Sequence, residues 1–279
     1  MRPADITIDR ILNVLNTIAP FSLAEEWDNV GLLIGDPGQA VSGILIGLDP
    51  TVELLDQAHA LGANLVITHH PIIFQPLKAI RTDHPTGAFI AKAITARIAV
   101  IACHTNLDVV AQGVSHSLAH CLGLTELAPL IATPGASDLG FGKLGTLDPP
   151  LDGQALLARL CAAIGVAGVS VAGPLPAMVQ RVALCGGSGA EFATQARAQG
   201  AEIFITAEVK HHIARWAEEA GFCVVDAGHF ATEHPMAKAL ASMLREHLAD
   251  FVPTIPVHWA EKEKNPFSIF VAENDQQPN

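Results

Sequence analysis

Thirteen histidines and 28 acidic residues are spread over 279 positions, and a few of them fall at spacings that suit metal chemistry. His69 and His70 stand side by side, directly after the apolar run NLVIT and before Pro71. Neighbouring side chains on an extended chain point to opposite sides, so two adjacent imidazoles serve two different metals more readily than one. His104 and Asp108 form an H-x-x-x-D, and His229 and Glu233 an H-x-x-x-E. On a strand-to-helix turn, a spacing of four returns both side chains to one pocket. A neutral imidazole then lies beside a carboxylate able to bridge two cations. Nitrogen and oxygen donors without thiolate suit two divalent transition metal ions, and zinc, iron, manganese and nickel all remain open.

Other polar groups are weaker candidates. His211 and His212, in EVKHHIARW, fall at a predicted helix start and read either as substrate-binding groups or as surface histidines. Glu208 ends an apolar strand and is expected to face the same cleft. In CGGSG (185–189), Ser188 and Gly189 offer backbone N–H groups at a helix start, either as an anion cradle or as a tight packing turn. GFGKLG (140–145) formally fits G-x-G-x-x-G, but no apolar strand precedes it, which argues against a dinucleotide fold. WDNVG (27–31) reads as a structured loop with Asp28 and Asn29 as turn or cap formers.

The elements that must position these groups follow an α/β pattern with largely parallel strands. The first half predicts strand 43–48, helix 51–61, strand 64–68, a long loop, helix 87–97, strand 98–103 and helix 113–122. The second predicts strand 181–185, helix 190–199, strand 202–206, helix 209–220, strand 222–226 and helix 232–248. The two series look alike. A shift of 138 residues lays EFATQARAQGAEIFIT (191–206) on ELLDQAHALGANLVIT (53–68) without a gap, and a shift of 125 lays His229-to-Glu233 on His104-to-Asp108. The difference between the shifts corresponds to an insertion of about PIIFQPLKAIRTD (71–83), expected to act as a lid or subunit contact. The expected architecture is two similar α/β halves related by a pseudo-two-fold, with the metal site in the cleft between them. Residues 1–127 form the first half, with 250–279 packing back onto it, and 128–249 form the second.

Composition narrows the function. Half the residues are hydrophobic, enough for one large or two ordinary cores. No apolar run is long enough to span a membrane, and Asp5, Asp9 and Arg10 interrupt any leader, which predicts a cytoplasmic protein. A net charge of -12 makes non-specific nucleic-acid binding unfavourable. The five cysteines lack any C-x-x-C pair and read as core residues. Tyrosine is absent, so a general acid or base is a His, a carboxylate, a Lys or a metal-bound water.

Taken in order, EEWDNVGLLIG (25–35), ITHHPIIF (67–74), HTNLD (104–108), CGGSG (185–189), VKHH (209–212), GHFATEHP (228–235) and NPF (265–267) resemble the NIF-three-like dinuclear metal-centre family, whose members carry the name GTP cyclohydrolase 1 type 2 homolog. The resemblance implies a toroidal homo-hexamer, a trimer of dimers, with a dinuclear centre in each subunit. It assigns His69, His70, Asp108, His229 and Glu233 as ligands, with His70 and His69 on different metals and the carboxylates shared. His104 becomes a neighbouring proton-transfer group, with Glu208 in a similar supporting role. Where the family commonly has Gly before the acidic residue, Ala207 precedes Glu208, a place where backbone freedom matters. The implied function is a metal-dependent hydrolase acting on a C–N bond of a small molecule such as a nucleotide. A phosphoesterase or nuclease and a non-catalytic metal-binding ring are the rival readings.

Overall fold

Four-residue apolar segments such as LVIT (65–68) and IFIT (203–206) are buried at every position, the mark of parallel strands covered on both faces. The computed structural model describes residues 6–251, 254–268 and 270. One sheet contains β1 (Gly31–Ile34), β2 (Ile44–Gly47), β3 (Leu65–Thr68) and β4 (Ala99–Ala102). The other contains β5 (Thr125–Thr133), β6 (Ala136–Asp152), β7 (Ser170–Ala172), β8 (Met178–Leu184), β9 (Ile203–Thr206) and β10 (Cys223–Asp226). A last strand, β11 (Val257–Trp259), pairs in parallel with β2 at the edge of the first sheet.

The spatial orders are β1-β4-β3-β2-β11 and β5-β6-β8-β9-β10-β7. In the first sheet β2, β3 and β4 run parallel and β1 lies antiparallel to β4. In the second, β8, β9 and β10 run parallel and β7 lies antiparallel to β10. This correspondence is consistent with a duplication. The helices in chain order are α1 (Ile8–Ile18), α2 (Val52–Ala60), α3 (Pro85–Ala96), α4 (Thr105–Val109), α5 (Val114–Leu122), α6 (Gly153–Ile164), α7 (Ala193–Ala198), α8 (His211–Ala220), α9 (His229–Glu233) and α10 (Pro235–His247). Each half therefore ends in the same way: strand, a five-residue helix carrying the His and the acid or following the His, then a longer helix.

Strand side chains alternate between two faces, and each face has its own helices. Leu45, Val66 and Val100 pack under α2 and α3, while Ala183, Phe204 and Val224 share a core with α7 and α8. On the opposite faces the helices are exchanged. Ile46, Leu65, Ile67 and Ile101 form one core with α1 and with Met236, Leu240 and Leu244 of α10, which follows β10 in sequence. Val182, Leu184, Ile203 and Val225 form another with α6 and with Leu118 and Leu122 of α5, which follows β4. The cores consequently do not divide at residue 127: each half lends its last helix to the other sheet.

Several elements escaped the periodicity. The β5–β6 hairpin, α1, α6, β1 and β7 lie outside the predicted series. GFGKLG falls inside β6, with Phe141 opposite Ile131 and Lys143 opposite Pro129, so it forms no dinucleotide turn. The insertion 71–83 contains no helix or strand. Ile72 and Ile73 pack against the first sheet's core, and only Phe74 of that apolar trio stays 43% exposed. Past β11, the Glu263 carboxylate accepts the backbone N–H groups of Leu48 and Asp49, both at 2.8 Å, fastening the C-terminal segment to the end of β2. Among the described residues no helix is long and apolar enough to cross a membrane.

The exchange of helices has a measurable consequence. Leu240→Ala, in the buried face of α10, should cost about 2–5 kcal/mol, and unfolding should remain a single transition because both sheets lean on the exchanged pair. Two separated transitions in denaturant, seen by circular dichroism, would contradict the shared packing.

Candidate metal centre

The carboxyl ends of β3 and β4 and the short helices α4 and α9 meet at one point, and each brings a donor. His69 and His70 leave β3, whose backbone continues as His69 N–H to Gly47 O and His70 N–H to Leu48 O. His104 precedes α4 and Asp108 lies on it, while His229 opens α9 and Glu233 closes it. A spacing of four places His and acid on the same side of a single helical turn.

Glu233 is the hub. Its Oε1 lies 3.8 Å from His69 Nε2, which is itself 3.6 Å from Asp108 Oδ1. Its Oε2 lies 3.1 Å from His70 Nε2 and 3.0 Å from His229 Nε2, and those two nitrogens stand 3.3 Å apart. One carboxylate therefore faces two separate donor groups, one through each oxygen. Donor atoms of His70, His229 and Glu233 converge within 4.8 Å of one another, as do those of His69, His70 and His104.

The outward edge of each imidazole is held by a hydrogen bond that fixes its tautomer. His69 Nδ1 donates to the Cys103 carbonyl at 2.8 Å, an oxygen that only accepts. His70 Nδ1 pairs with Asp49 Oδ1 at 2.7 Å, and His229 Nδ1 with Glu208 Oε1 at 2.8 Å. His104 Nδ1 pairs with Asp28 Oδ1 at 2.8 Å. With the Nδ1 protons committed, the Nε2 lone pairs of His69, His70 and His229 all face carboxylate oxygens. His69 Nε2 is buried without a hydrogen-bond partner, and the polar atoms set against the buried Glu233 Oε2 are the Nε2 atoms of His70 and His229. Lone pairs facing lone pairs away from water are costly unless a cation lies between them. The donor set thus fits divalent transition metals held by nitrogen and oxygen.

A family model described as Duf34/NIF3 (NGG1p interacting factor 3) matches residues 6–266. The chain belongs to that family. A GTP cyclohydrolase 1 type 2 homolog of Clostridium perfringens is 31% identical over 94% of this chain and 99% of its own length. One from a Nostoc species is 36% identical over 78% of this chain and 80% of its own. The crystal structure of the Staphylococcus aureus hypothetical protein SA1388 superposes with a TM-score of 0.89 at 30% identity, covering 95% of this chain and all of that one. A Bacillus cereus protein related to NIF3 gives 0.87 at 27% identity, covering 95% of this chain and 99% of that one.

Electrostatics in this Duf34/NIF3 chain follow from burial and crowding. Burial pushes the His69 imidazole down to about 3, so it stays neutral and keeps its lone pair. His70 is driven the other way, up to about 10, because hydrogen bonds and charge from Asp49 and Glu233 outweigh its burial. The hydrogen bond to Glu233, opposed by burial and aided by Glu208, pushes His229 up to about 9. Burial first and the Glu233 charge second raise the Asp108 carboxyl. Without metal, protons fill the places between imidazole and carboxylate.

The sequence reading missed the groups that orient the ligands. Asp28 is more than a loop former: its side chain is fully buried, holding His104 and accepting from both the N–H (3.0 Å) and the hydroxyl (2.5 Å) of Thr105. Those bonds prevail over burial and hold its carboxyl well below the usual range. Asp49, two residues past β2, carried one usable signal, its place beyond the carboxyl end of a parallel strand. Glu208 supports His229 and adopts φ 55°, whereas Ala207 is buried and is not among the residues with positive φ. The left-handed position is the glutamate, so an alanine before it is unstrained.

Two groups read as substrate-site candidates lie as follows. His211 and His212 open α8 as exposed residues, and His211 lines a separate surface hollow with Val171 and Arg215. The CGGSG turn packs rather than cradles. The Gly189 N–H already faces Thr206 Oγ1 and Gly187 O, leaving Ser188 alone of the pair on the wall of the metal-side cavity. Gly187 has φ 65°, and a Cβ there would meet Glu233 Oε1 at 2.0 Å, so the glycine makes room for the hub carboxylate.

Metal ligands bind in their deprotonated form. With His70 raised to about 10 and His229 to about 9, metal uptake at pH 7 should expel protons, and apparent affinity should climb as pH rises toward 9. Calorimetry in buffers of different ionisation enthalpy reads the number released. A value of zero would show that these imidazoles are already neutral.

Proposed function

We propose that this chain is a dinuclear metal-dependent hydrolase acting on a C–N bond of a small molecule, with opening of the purine imidazole ring of GTP and release of formate as the leading reaction. The observation that carries this reading is the division of Glu233 between two donor groups, His69 with Asp108 on Oε1 and His70 with His229 on Oε2. Two cations bound there supply Lewis-acid activation of water and polarise the bond under attack. The relatives named GTP cyclohydrolase 1 type 2 homolog support the choice of substrate class.

The remaining work falls to the chain's own residues. Asp49, Glu208 and the Cys103 carbonyl hold three imidazoles in the tautomer that presents Nε2 inward. His104, oriented by Asp28, lines the cavity together with Asp108, His229 and Glu233, where it can pass a proton to or from a bound molecule. That cavity of about 430 Å³ gives a ligand access to the centre, which favours a reactive site over a closed structural one.

Protein loaded in turn with zinc, iron, manganese and nickel should release formate from GTP. Glu233→Gln should lose metal and activity together. Asp28→Asn should keep its metal and lower kcat on the order of 10- to 100-fold. No formate with any of the metals would remove the reaction proposed.

Assembly into a homo-hexamer, a trimer of dimers, belongs to the same proposal. It is supported by Leu77 and Ile80, apolar side chains left 43% and 58% exposed on the loop after His70. Sedimentation should give about six times the chain mass; a stable monomer at micromolar concentration would refute it.

A further inference from the structure

The cavity beside the centre is walled by aromatic rings from both sheets. On one side are Trp27, before β1, and Phe74, in the loop after His70, with ring centroids 5.7 Å apart and inclined at 57°. His104 stands edge-on to both, at 6.2 and 6.3 Å, closing the corner. On the other side are Phe141 of β6 and Phe192 before α7, 6.3 Å apart and inclined at 30°. All five rings line the same cavity as Asp108, His229 and Glu233. Trp27 is 55% exposed and belongs to none of the four hydrophobic cores, so core packing does not account for an indole at this position.

Charge says what kind of molecule fits. Among the described residues lining the cavity there is no lysine or arginine, while Glu25 and Glu191 add carboxylates to those of Asp108 and Glu233. A polyphosphate entering here would find no lysine or arginine on the walls, so any attraction for it comes from His229 and the metal centre. A flat, uncharged or cationic ring finds π faces to stack on and carboxylates to accept its N–H groups.

We propose that this cavity is a recognition site for a planar, uncharged or cationic heteroaromatic ring, gripped through Trp27 and Phe74, and that any phosphate chain on the ligand is held by the metal centre and not by the cavity walls. The inference rests on reading the centre as one that acts on a small molecule, and it narrows that molecule to one recognised by its ring. Specificity then resides in Trp27 and Phe74 rather than in the metal ligands.

The test uses full-length, metal-loaded protein, with metal content measured for each variant and binding followed by calorimetry and by tryptophan fluorescence. Guanosine, adenosine, pterin and quinoline are the ring probes, with GTP and inorganic triphosphate as the charged ones. At least one ring probe should bind and quench fluorescence. Trp27→Ala should weaken guanosine and GTP by the same factor wherever they bind, and should leave triphosphate binding unchanged. Trp27→Ala should weaken the bound ring on the order of 10- to 100-fold with metal retained, and Trp27→Phe should restore most of it. An unchanged ring Kd in Trp27→Ala, an equal weakening of triphosphate by that substitution, or no binding by all four rings would each overturn the proposal. Binding of a ring without formate release from GTP would count against the hydrolase reading alone, so the two failures are distinguishable.

Discussion

Three imidazole nitrogens and two carboxylates face one another at 3.0–3.8 Å, with the Nδ1 protons turned outward, and the surrounding structure is organised around that crowding. His69 Nε2 cannot turn to water because its ring is fully buried, and it cannot change tautomer without abandoning the Cys103 carbonyl. Glu233 is held by the α9 turn, in space that any residue larger than Gly187 would fill. Such an arrangement persists in a folded protein only when positive charge neutralises it, as protons or as metal.

The fold supplies the stiffness that keeps these groups in place. Each half contributes an incomplete set: His69, His70 and Asp108 come from the first series of strands, and His229 and Glu233 from the second. Exchange of α5 and α10 locks the two sets together, because the helix that follows each of the short helices α4 and α9 is packed into the other sheet's core. A displacement at one set of ligands is therefore resisted by both hydrophobic cores. The orienting residues extend this outward: Glu263 pins the backbone of Leu48 and Asp49, Asp49 pins His70, and His70 faces Glu233.

Local order and chemistry also divide cleanly around the cavity. The polar wall is built from strand ends and helix starts, where backbone geometry is well determined, whereas the aromatic wall is drawn from the loop before β1, the loop after His70 and the hairpin strand β6. Loops change more readily than strand ends, so the aromatic wall can vary while the polar frame stays fixed.

The parallel strands, their helices and the repeated strand-end motif were legible in the sequence because buried strands and amphipathic helices leave periodic apolar patterns, and because His104-to-Asp108 and His229-to-Glu233 recur at equivalent places. The two adjacent histidines likewise announced themselves by position. What the sequence alone did not disclose was set by contacts across long separations. Asp28 reaches His104 over 76 residues, Asp49 reaches His70 over 21, and α10 crosses to the first sheet. No local period encodes such pairings, since a single carboxylate in a loop looks the same whether it faces solvent or an imidazole. The aromatic corner at Trp27 and Phe74 belongs to the same class: ring stacking depends on where two loops meet, and only the tertiary structure decides that.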